Sequence, residues 1–509
     1  MISLRETQRP NNETETNGGR IHQNGSTKNV ETGANSGSTL SLPSAPHLPR
    51  VCKTESKIIR GFSSSLRCLY DSNVYSKIWA IAAKSLGKDT PPTLYPEYTK
   101  PGSTEYVYRD LQFWTSGFFP GSLHVLLERR RKWRHIASPP PGSDEIVHDI
   151  QLEFACKWWT ASLYPNASFK GTHDLGFMIM PWAKVAWELN RDTAALSAMT
   201  TAAQTLFDRF DERIGCMRSW DTCVTNIYQF NDPATDFLVI IDNMMNLNIL
   251  FYIAAATGNQ ALRSAAITHA RTTQRTHIRP DGSTTHVVVF DPDTGAIKDR
   301  LTNQGYAHES CWARGQAWAI CGFAETYLWT MEDDFLSTAM HCADSFVGRL
   351  PETGIPPWDF DALTTEGAPQ PPDTSAALIA AYGMLLIHQA LVALGSDSTY
   401  LTSALHIVEN VCTRHMNPAA EICMQKEAIE TVEYGVLQEV TGVTWDTAGG
   451  DTIVNGATIN NFEHAPRKWA DHGLVYADYF FLLVGNKLLE MGIGSAILNL
   501  PLNANATHV

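Results

Sequence analysis

The sequence predicts an all-α domain of paired helices with a minor β-hairpin. From about residue 55 onward, apolar residues recur with a period near 3.6, as in AAQTLFDRF and AALIAAYGMLLIHQALVALG. Many of these segments end in Gly or run into turns rich in Pro, Asp or Gly, which is typical of helix ends. Only THVVVFD, at 285–291, has the β-branched run of a strand.

The amino-terminal segment differs in composition from the rest of the chain. Residues 1–52 are rich in Asn, Thr, Gly and Ser and contain few large apolar side chains. Such a segment cannot bury enough surface to offset the entropy lost on ordering. We therefore predict a disordered extension over 1–52 and one folded domain over 53–509.

Six short motifs place an unusual polar or aromatic residue at the opening of a strongly apolar helix. The markers recur at intervals of 59 to 72 residues, with a last interval of 105: Trp114, Asp174, Asp242, Arg314, Asp373 and Asp478. Two helices and two loops occupy about 45 to 70 residues at ordinary lengths. The markers therefore indicate six helical hairpins, the last lengthened by an insertion between about 413 and 470. An α/α barrel would gather these polar openings around one pocket, and a solenoid of helical pairs is the alternative.

Composition and charge limit the possible functions. The 509 residues carry a net charge of −14, which argues against a sequence-independent grip on nucleic acid. The first 20 residues lack the apolar core of a secretory signal, and no uninterrupted apolar run reaches membrane-spanning length. We expect a cytoplasmic protein without a membrane partner. Ten scattered cysteines with no CxxC pair predict free thiols and no zinc site.

Asp242 is a carboxylate set into the apolar run LVIIDNMMNLNILFYIAAATG. It has two interpretations. It could cap the helix that follows, or its apolar surroundings could raise its pKa and keep a proton available for general acid catalysis. Asp174, before another apolar helix, has the same ambiguity. Two such carboxylates at equivalent places in successive hairpins favour the catalytic interpretation, because glycosidic chemistry commonly uses paired acids.

The string CWARGQAWAICGF places a cation between two indoles. Arg314 and Trp318 lie four residues apart and would share one face of a helix. An Arg flanked by Trp suits a ligand with a carboxylate for the guanidinium fork and a ring face for stacking. The alternative is a purely structural stack of Arg on indole.

These motifs together resemble a known family. FWTSGFFPG, HDLGF, IIDNMMNL, DGSTTHVVVFDPDTG, TNQG, CWARGQAWAICGF, WDF, DTSAA and DYFFL, in this order, are similar to motifs of the unsaturated glucuronyl hydrolases of glycoside hydrolase family 88. The resemblance runs from about Trp114 to Leu482, and its most specific part is Trp-x-Arg-Gly-Gln-Ala-Trp.

The resemblance implies an (α/α)6 barrel and an unusual glycosidase reaction. In that family an aspartate protonates C4 of a 4,5-unsaturated uronic acid while water adds at C5, and the resulting hemiketal opens with loss of the glycosidic bond. It implies Asp242 as the general acid and base, and Asp174 as a second carboxylate that orients the substrate or tunes Asp242. The implied substrate-binding residues are Trp114, Trp220, His286, Gln304, Arg314 and Trp318.

Three positions depart from the family pattern. Ser116 stands where Asp is usual, Asn303 where His is usual and Ala477 where Gly is usual.

Because both aspartates are kept, we expect the chemistry to be retained on a small-molecule substrate, with no cofactor or metal. The alternative is a relative redirected to a non-carbohydrate substrate, a hydratase or cyclase that uses the same protonation, and a binding protein is a third possibility. The sequence does not define an oligomeric state.

Overall fold

The computed structural model describes residues 59, 61–62, 64–134, 147–364, 369–430, 435, 437–446 and 449–498. The extension predicted to be disordered, 1–52, lies outside these residues. The division of the chain into 1–52 and 53–509 therefore stays a prediction.

Twelve helices of eleven or more residues run through the described part of the chain. They are α1 (Ser72–Leu86), α2 (Phe118–Lys132), α3 (Asp149–Thr160), α4 (Leu175–Asn190), α5 (Thr193–Phe207), α6 (Leu247–Thr257), α7 (Gln260–His277), α8 (Ala313–Thr330), α9 (Asp333–Gly348), α10 (Thr374–Ala393), α11 (Tyr400–Arg414) and α12 (Val475–Glu490). A short α13 (Ile493–Ile497) follows, and 3-10 helices cover Ser65–Tyr70, Tyr164–Ser168 and Ile241–Asn246.

The helices form two concentric rings. Each even-numbered helix contacts the next even-numbered one, and α12 returns to contact α2, so the inner ring is closed. From α3 to α11, each odd-numbered helix packs outside the inner helix before it, and α1 packs against α2 and α3. This closed ring confirms the predicted (α/α)6 barrel and excludes an open solenoid.

Burial follows the position of each helix in the rings. The outer helix α7 buries one stripe at helical spacing, with Leu262, Ala266 and His269 among its buried residues. The inner helix α10 is buried over most of its surface because it lies between α8 and α12. Its length and composition alone would suit a membrane span, and its place in the inner ring accounts for them.

The structure contains more β-structure than the sequence predicts. The strands are β1 (Leu94–Thr99), β2 (Tyr106–Asp110), β3 (Phe210–Asp211), β4 (Cys216–Met217), β5 (Cys223–Val224), β6 (Gln229–Phe230), β7 (Phe237–Ile240), β8 (Val287–Phe290), β9 (Ile297–Leu301), β10 (Glu421–Glu430) and β11 (Leu437–Asp446). The strand predicted at 285–291 is β8, the centre of an antiparallel sheet ordered β7-β8-β9. The single predicted hairpin is therefore too few. Two-residue strands such as β3 to β6 leave no periodic pattern to detect, and the prediction also missed the longer hairpins β1-β2 and β10-β11.

Two of these features position the site. β7 pairs with β8 in a register that places Ile240 opposite Val287, and the 3-10 helix Ile241–Asn246 follows β7 directly. The predicted insertion contains the β10-β11 hairpin and a return segment, 449–474, that leads into α12. Within this return, Ala457 bridges to His472 and Asn460 to Trp469.

Candidate active site

The openings of the inner helices meet at one end of the barrel. Asp174 is the residue before α4, Asp242 lies in the 3-10 helix before α6, and Arg314 is the second residue of α8. Asp373 immediately precedes α10, and Tyr476 is the second residue of α12. The sequence markers therefore lie at the same end of the inner ring, as the barrel prediction required.

Asp242 has the environment expected of an acid catalyst. Its Oδ1 is buried and has no hydrogen-bond partner among the residues the structure describes. Burial and, secondly, the charge of Asp174 raise the pKa of Asp242 to about 7, while the Arg314 guanidinium acts in the opposite direction. The residues at the N-cap positions of the 3-10 helix and of α6 are Ile240 and Asn246, so Asp242 does not cap either helix.

Asp174 stands at the N-cap position of α4 without capping it. Its side chain forms no cap hydrogen bond and is 17% exposed. The Thr172 hydroxyl donates to Oδ2 at 2.8 Å, and Nε2 of His173 lies 3.2 Å from Oδ1. Burial lowers the pKa of His173, so this ring is neutral and leaves Asp174 as a negative neighbour of Asp242.

His286 presents a hydrogen-bond donor to the same end of the barrel. Its Nδ1 accepts from the main-chain N–H of Asn303 at 3.1 Å, so the proton of the neutral ring lies on Nε2. Burial lowers the pKa of His286 to about 3. Nε2 is buried without a partner in the described chain. The ring lies between Trp312, at 4.6 Å, and Trp220, at 6.0 Å between centroids.

Arg314 is held from several sides. Its terminal nitrogens donate to Asp373 Oδ2 at 2.8 Å, Gln304 Oε1 at 3.1 Å, and the main-chain oxygens of Thr458 and Ile459, both at 2.6 Å. The guanidinium also lies 4.6 Å above the Trp312 ring, and the residue is only 2% exposed.

Both terminal nitrogens of the Arg314 guanidinium are thus already hydrogen-bonded. The sequence suggested that Arg314 binds a substrate carboxylate directly. This arrangement does not match that role, because each terminal nitrogen already donates to two acceptors. The positive charge of Arg314 acts instead on Asp242, whose pKa it lowers. Gln304, predicted to bind substrate, is held in place by the same guanidinium.

The predicted aromatic residues lie at two depths. Trp114 and Trp220 are partly exposed at the mouth of the barrel. Trp318 is only 1% exposed, with its ring between Phe177 at 5.1 Å and Phe480 at 5.7 Å. It therefore supports the floor of the site in this structure and has no free face for a sugar ring.

Tyr476 is a site residue that the sequence reasoning missed. Its hydroxyl is buried and has no partner among the described residues, while its ring lies 5.2 Å from Trp114 and 5.5 Å from the Arg314 guanidinium. The motif YADYFF drew attention to Asp478 instead. That carboxylate accepts from the Tyr106 hydroxyl and from main-chain amides of the return segment, so its role is structural.

Taken together, these groups form an acid–base site. A carboxyl with a raised pKa, and with one oxygen unpartnered within the described residues, stands beside a second carboxylate, a neutral imidazole donor and a phenol. Such a pair of acids can deliver a proton to a substrate and take one from water. Among the residues described, no group of three or more His, Cys, Asp or Glu side chains is arranged to hold a metal ion. Fold and site define an (α/α)6-barrel enzyme of the glycoside hydrolase class.

Comparisons with known proteins narrow this class. No family model matches the chain. An unsaturated glucuronyl hydrolase of Formosa agariphila is 30% identical over 372 residues, which span 72% of this chain and 78% of the relative. An unsaturated chondroitin disaccharide hydrolase of Streptococcus agalactiae is 30% identical over 390 residues, spanning 76% and 84%. The chain belongs to the unsaturated glucuronyl hydrolase family, as its motifs predicted.

Solved structures agree with this assignment. The crystal structure of an unsaturated glucuronyl hydrolase specific for heparin has a TM-score of 0.64 at 25% identity, covering 86% of this chain and 99% of its own. The enzyme of Bacillus sp. GL1 has a TM-score of 0.62 at 23% identity, covering 86% and 98%, and supports the fold. The comparisons favour a hydrolase over the alternative of a redirected hydratase or cyclase.

Proposed function

We propose that this enzyme hydrolyses short oligosaccharides that carry a 4,5-unsaturated uronic acid at the non-reducing end. The observation that carries the proposal is Asp242, a carboxyl with a pKa near 7 and a buried oxygen that has no hydrogen-bond partner in the described chain. An enol ether needs a proton at carbon, and a carboxyl that remains protonated near neutral pH can supply it.

In the proposed reaction, the Asp242 carboxyl transfers its proton to C4, and the C4–C5 π electrons form the new C–H bond. A water molecule adds its oxygen to the electron-poor C5 and gives a proton to the Asp242 carboxylate, which restores the acid. The product is a hemiketal at C5. Its collapse opens the sugar ring, and the former anomeric carbon, now a hemiacetal, releases the second sugar.

The surrounding residues have distinct parts in this scheme. The negative charge of Asp174 favours the protonated form of Asp242 before the reaction. His286 Nε2 and the Tyr476 hydroxyl, which have no partner among the residues described, are positioned to hydrogen-bond to substrate oxygens. Trp114 and Trp220, partly exposed, offer ring faces to the sugars.

The substrate class is tested by following the loss of ultraviolet absorbance of the conjugated uronate with lyase-generated disaccharides of differing linkage and sulfation. Turnover of at least one of them is expected. Absence of turnover on all of them would contradict the substrate class.

The mechanism is tested separately with isotopes. In deuterium oxide, deuterium should enter C4, and in heavy-oxygen water the label should enter C5, with early quenching because the ketone product exchanges oxygen. Label appearing first at the anomeric carbon, with no deuterium at C4, would identify ordinary glycoside hydrolysis instead. Deuterium at C4 without release of sugar would point to a hydratase.

We also propose that the enzyme works in the cytoplasm, in carbohydrate degradation, on disaccharides that have been imported. The cysteines of the described residues are free thiols, such as Cys156, Cys216 and Cys321, and free thiols are typical of a reducing compartment, which supports this location. Fractionation of the native cells, with activity measured in each fraction, tests it; activity confined to the medium would contradict it.

A further inference from the structure

A second cavity lies inside the barrel, away from Asp242. It has a volume of about 190 Å³. Its charged lining includes Glu128, Lys184, Glu325 and Lys487, which stand nine to twelve residues beyond the starts of α2, α4, α8 and α12. At 1.5 Å per residue, these groups are roughly 14 to 18 Å along the helices from the openings that form the active site.

A layer of aromatic rings separates the two spaces. Phe118, Phe177 and Phe480 line the cavity. On the side of the active site, Trp114 packs against Phe118 at 5.9 Å and Phe177 at 5.5 Å, and Trp318 fills the space between Phe177 and Phe480. A molecule in the cavity would therefore not touch Asp242 or Asp174.

Most charges that line the cavity are paired with one another or with near neighbours. Lys184 lies 3.0 Å from Glu188, Lys487 lies 2.9 Å from Glu490, and Glu128 accepts from Asn486 at 3.0 Å. These contacts involve charged groups of three inner helices, α2, α4 and α12, at one level of the barrel.

Glu325 is different. Its Oε2 is buried and lacks a hydrogen-bond partner within the described part of the chain. Burial raises the pKa of Glu325 to about 7, against the opposing charges of Lys184 and Lys487. A buried acceptor of this kind costs free energy unless a donor reaches it. The proposed reaction makes no use of it.

The other lining groups limit what that donor can be. The ammonium groups of Lys184 and Lys487 disfavour a cation, and the carboxylates of Glu128 and Glu490 disfavour an anion. A neutral hydroxyl compound can accept from the former and donate to the latter. The rings of Tyr382, Tyr479 and Phe480 supply apolar faces against which the C–H groups of such a molecule would pack. The volume is equivalent to about six water molecules in the liquid, room for a small polyol.

We propose that this cavity is a second binding site, distinct from the active site, for a small neutral polyhydroxylated molecule that donates a hydrogen bond to Glu325. Glu325 takes no part in the proposed reaction, so activity and binding can be tested separately.

Xylitol is a suitable probe, with n-butylammonium as its charged counterpart. Titration of the full-length enzyme with xylitol, followed by ligand-observed NMR, should show saturable binding of one molecule per chain at millimolar concentration, stronger than that of butylammonium. A crystal soaked with xylitol should show it against Glu325. No saturable binding, stronger binding of butylammonium, or density for water only would overturn the proposal.

Two variants locate the binding. At pH 8, above the pKa of Glu325, Glu325→Gln should weaken binding about tenfold, because a hydrogen bond to a charged group is replaced by a neutral one. Leu483→Phe should block binding by filling the cavity. Both should keep wild-type turnover of the sugar substrate. Asp242→Asn, which removes the acid of the active site, should bind xylitol as the wild type does. Binding that is lost in Asp242→Asn but unchanged in the other two variants would place xylitol in the active site and refute the second site.

Discussion

The main-chain N–H of Gly176 donates to the side-chain oxygen of Asn246 at 2.8 Å, joining the start of α4 to the turn before α6. Asp174 lies two residues before this glycine, and Asp242 four residues before this asparagine. The contact therefore links the two chain segments that carry these carboxylates. It also requires glycine, because a Cβ at position 176 would stand 2.6 Å from Asn246 Oδ1.

Gly176→Ala should therefore move the two carboxylates apart. With Asp174 farther away, the pKa of Asp242 falls and the alkaline limb of the kcat/KM profile moves to lower pH. Gly87→Ala is a matched control, since a Cβ there meets open space. An unchanged profile in Gly176→Ala, with normal melting temperature, would contradict the coupling of the two residues.

Asp242→Asn should lower turnover by about 10² to 10⁴, the usual contribution of a general acid, because the amide cannot deliver a proton. The variant should remain folded, since Asp242 caps no helix. Activity and melting temperature are to be measured on the same preparation. Activity within tenfold of wild type would remove Asp242 from the acid role.

The raised pKa values have a consequence for stability. Asp242, Asp478 and Glu325 each have a pKa near 7 in the folded chain, against about 4 when unfolded. The folded state therefore binds more protons between these values, and the free energy of unfolding falls as pH rises from about 4 to 7. The melting temperature should follow this trend above the range of acid denaturation. As the pH rises from 5 to 8, the free energy of unfolding of Asp242→Asn should increase relative to that of wild type. A difference between the two proteins that stays constant with pH would contradict the raised pKa.

Arg314→Gln tests the role of the guanidinium. Loss of its positive charge should raise the pKa of Asp242 further and move the alkaline limb of kcat/KM up by roughly one pH unit. Arg314→Lys keeps the charge and should leave the limb near its wild-type position, even though several hydrogen bonds are lost. A different outcome is that both variants lose affinity for the acid substrate but not for its methyl ester, while their pH profiles stay unchanged. That result would show that Arg314 binds the substrate carboxylate directly.

Tyr476→Phe removes a hydroxyl that has no partner among the described residues, so stability should be unchanged or slightly higher. Because we expect that hydroxyl to contact the substrate, kcat/KM should fall about tenfold. Tyr106→Phe is the contrasting control. Its hydroxyl donates to Asp478 at 2.9 Å, so its loss should cost about 1 kcal/mol of stability and little activity. Normal kinetics in Tyr476→Phe would exclude the contact.

Much of this architecture could be predicted from local pattern. The 3.6-residue period and the spacing of the markers predicted six helical hairpins, because long apolar helices carry strong periodic signals, and the family resemblance then favoured the barrel over a solenoid. A carboxylate inside an apolar run was sufficient to single out Asp242, since its burial follows from its neighbours in sequence. The short hairpins β3-β4 and β5-β6 were missed because two residues carry no period.

The remaining details depend on contacts between distant parts of the chain. The main-chain oxygens that occupy Arg314 come from positions 144 and 145 residues later, in the return segment. Whether Trp318 faces a ligand or the core depends on which rings the neighbouring inner helices place against it. The same limit applies to Tyr476, whose motif revealed an apolar helix but not which of its polar residues would face Arg314.

The hydrogen bonding between the return segment and Arg314 also bears on how the sequences of enzymes with this architecture can diverge. It uses backbone oxygens of Thr458 and Ile459, so the identity of those two side chains is of little importance to the contact. Mutations can therefore accumulate along the rim of the mouth, and alter which sugars are admitted, while the electrostatic setting of the acid is inherited intact. Selectivity and reactivity are in this way separable traits, open to independent selection within a single barrel.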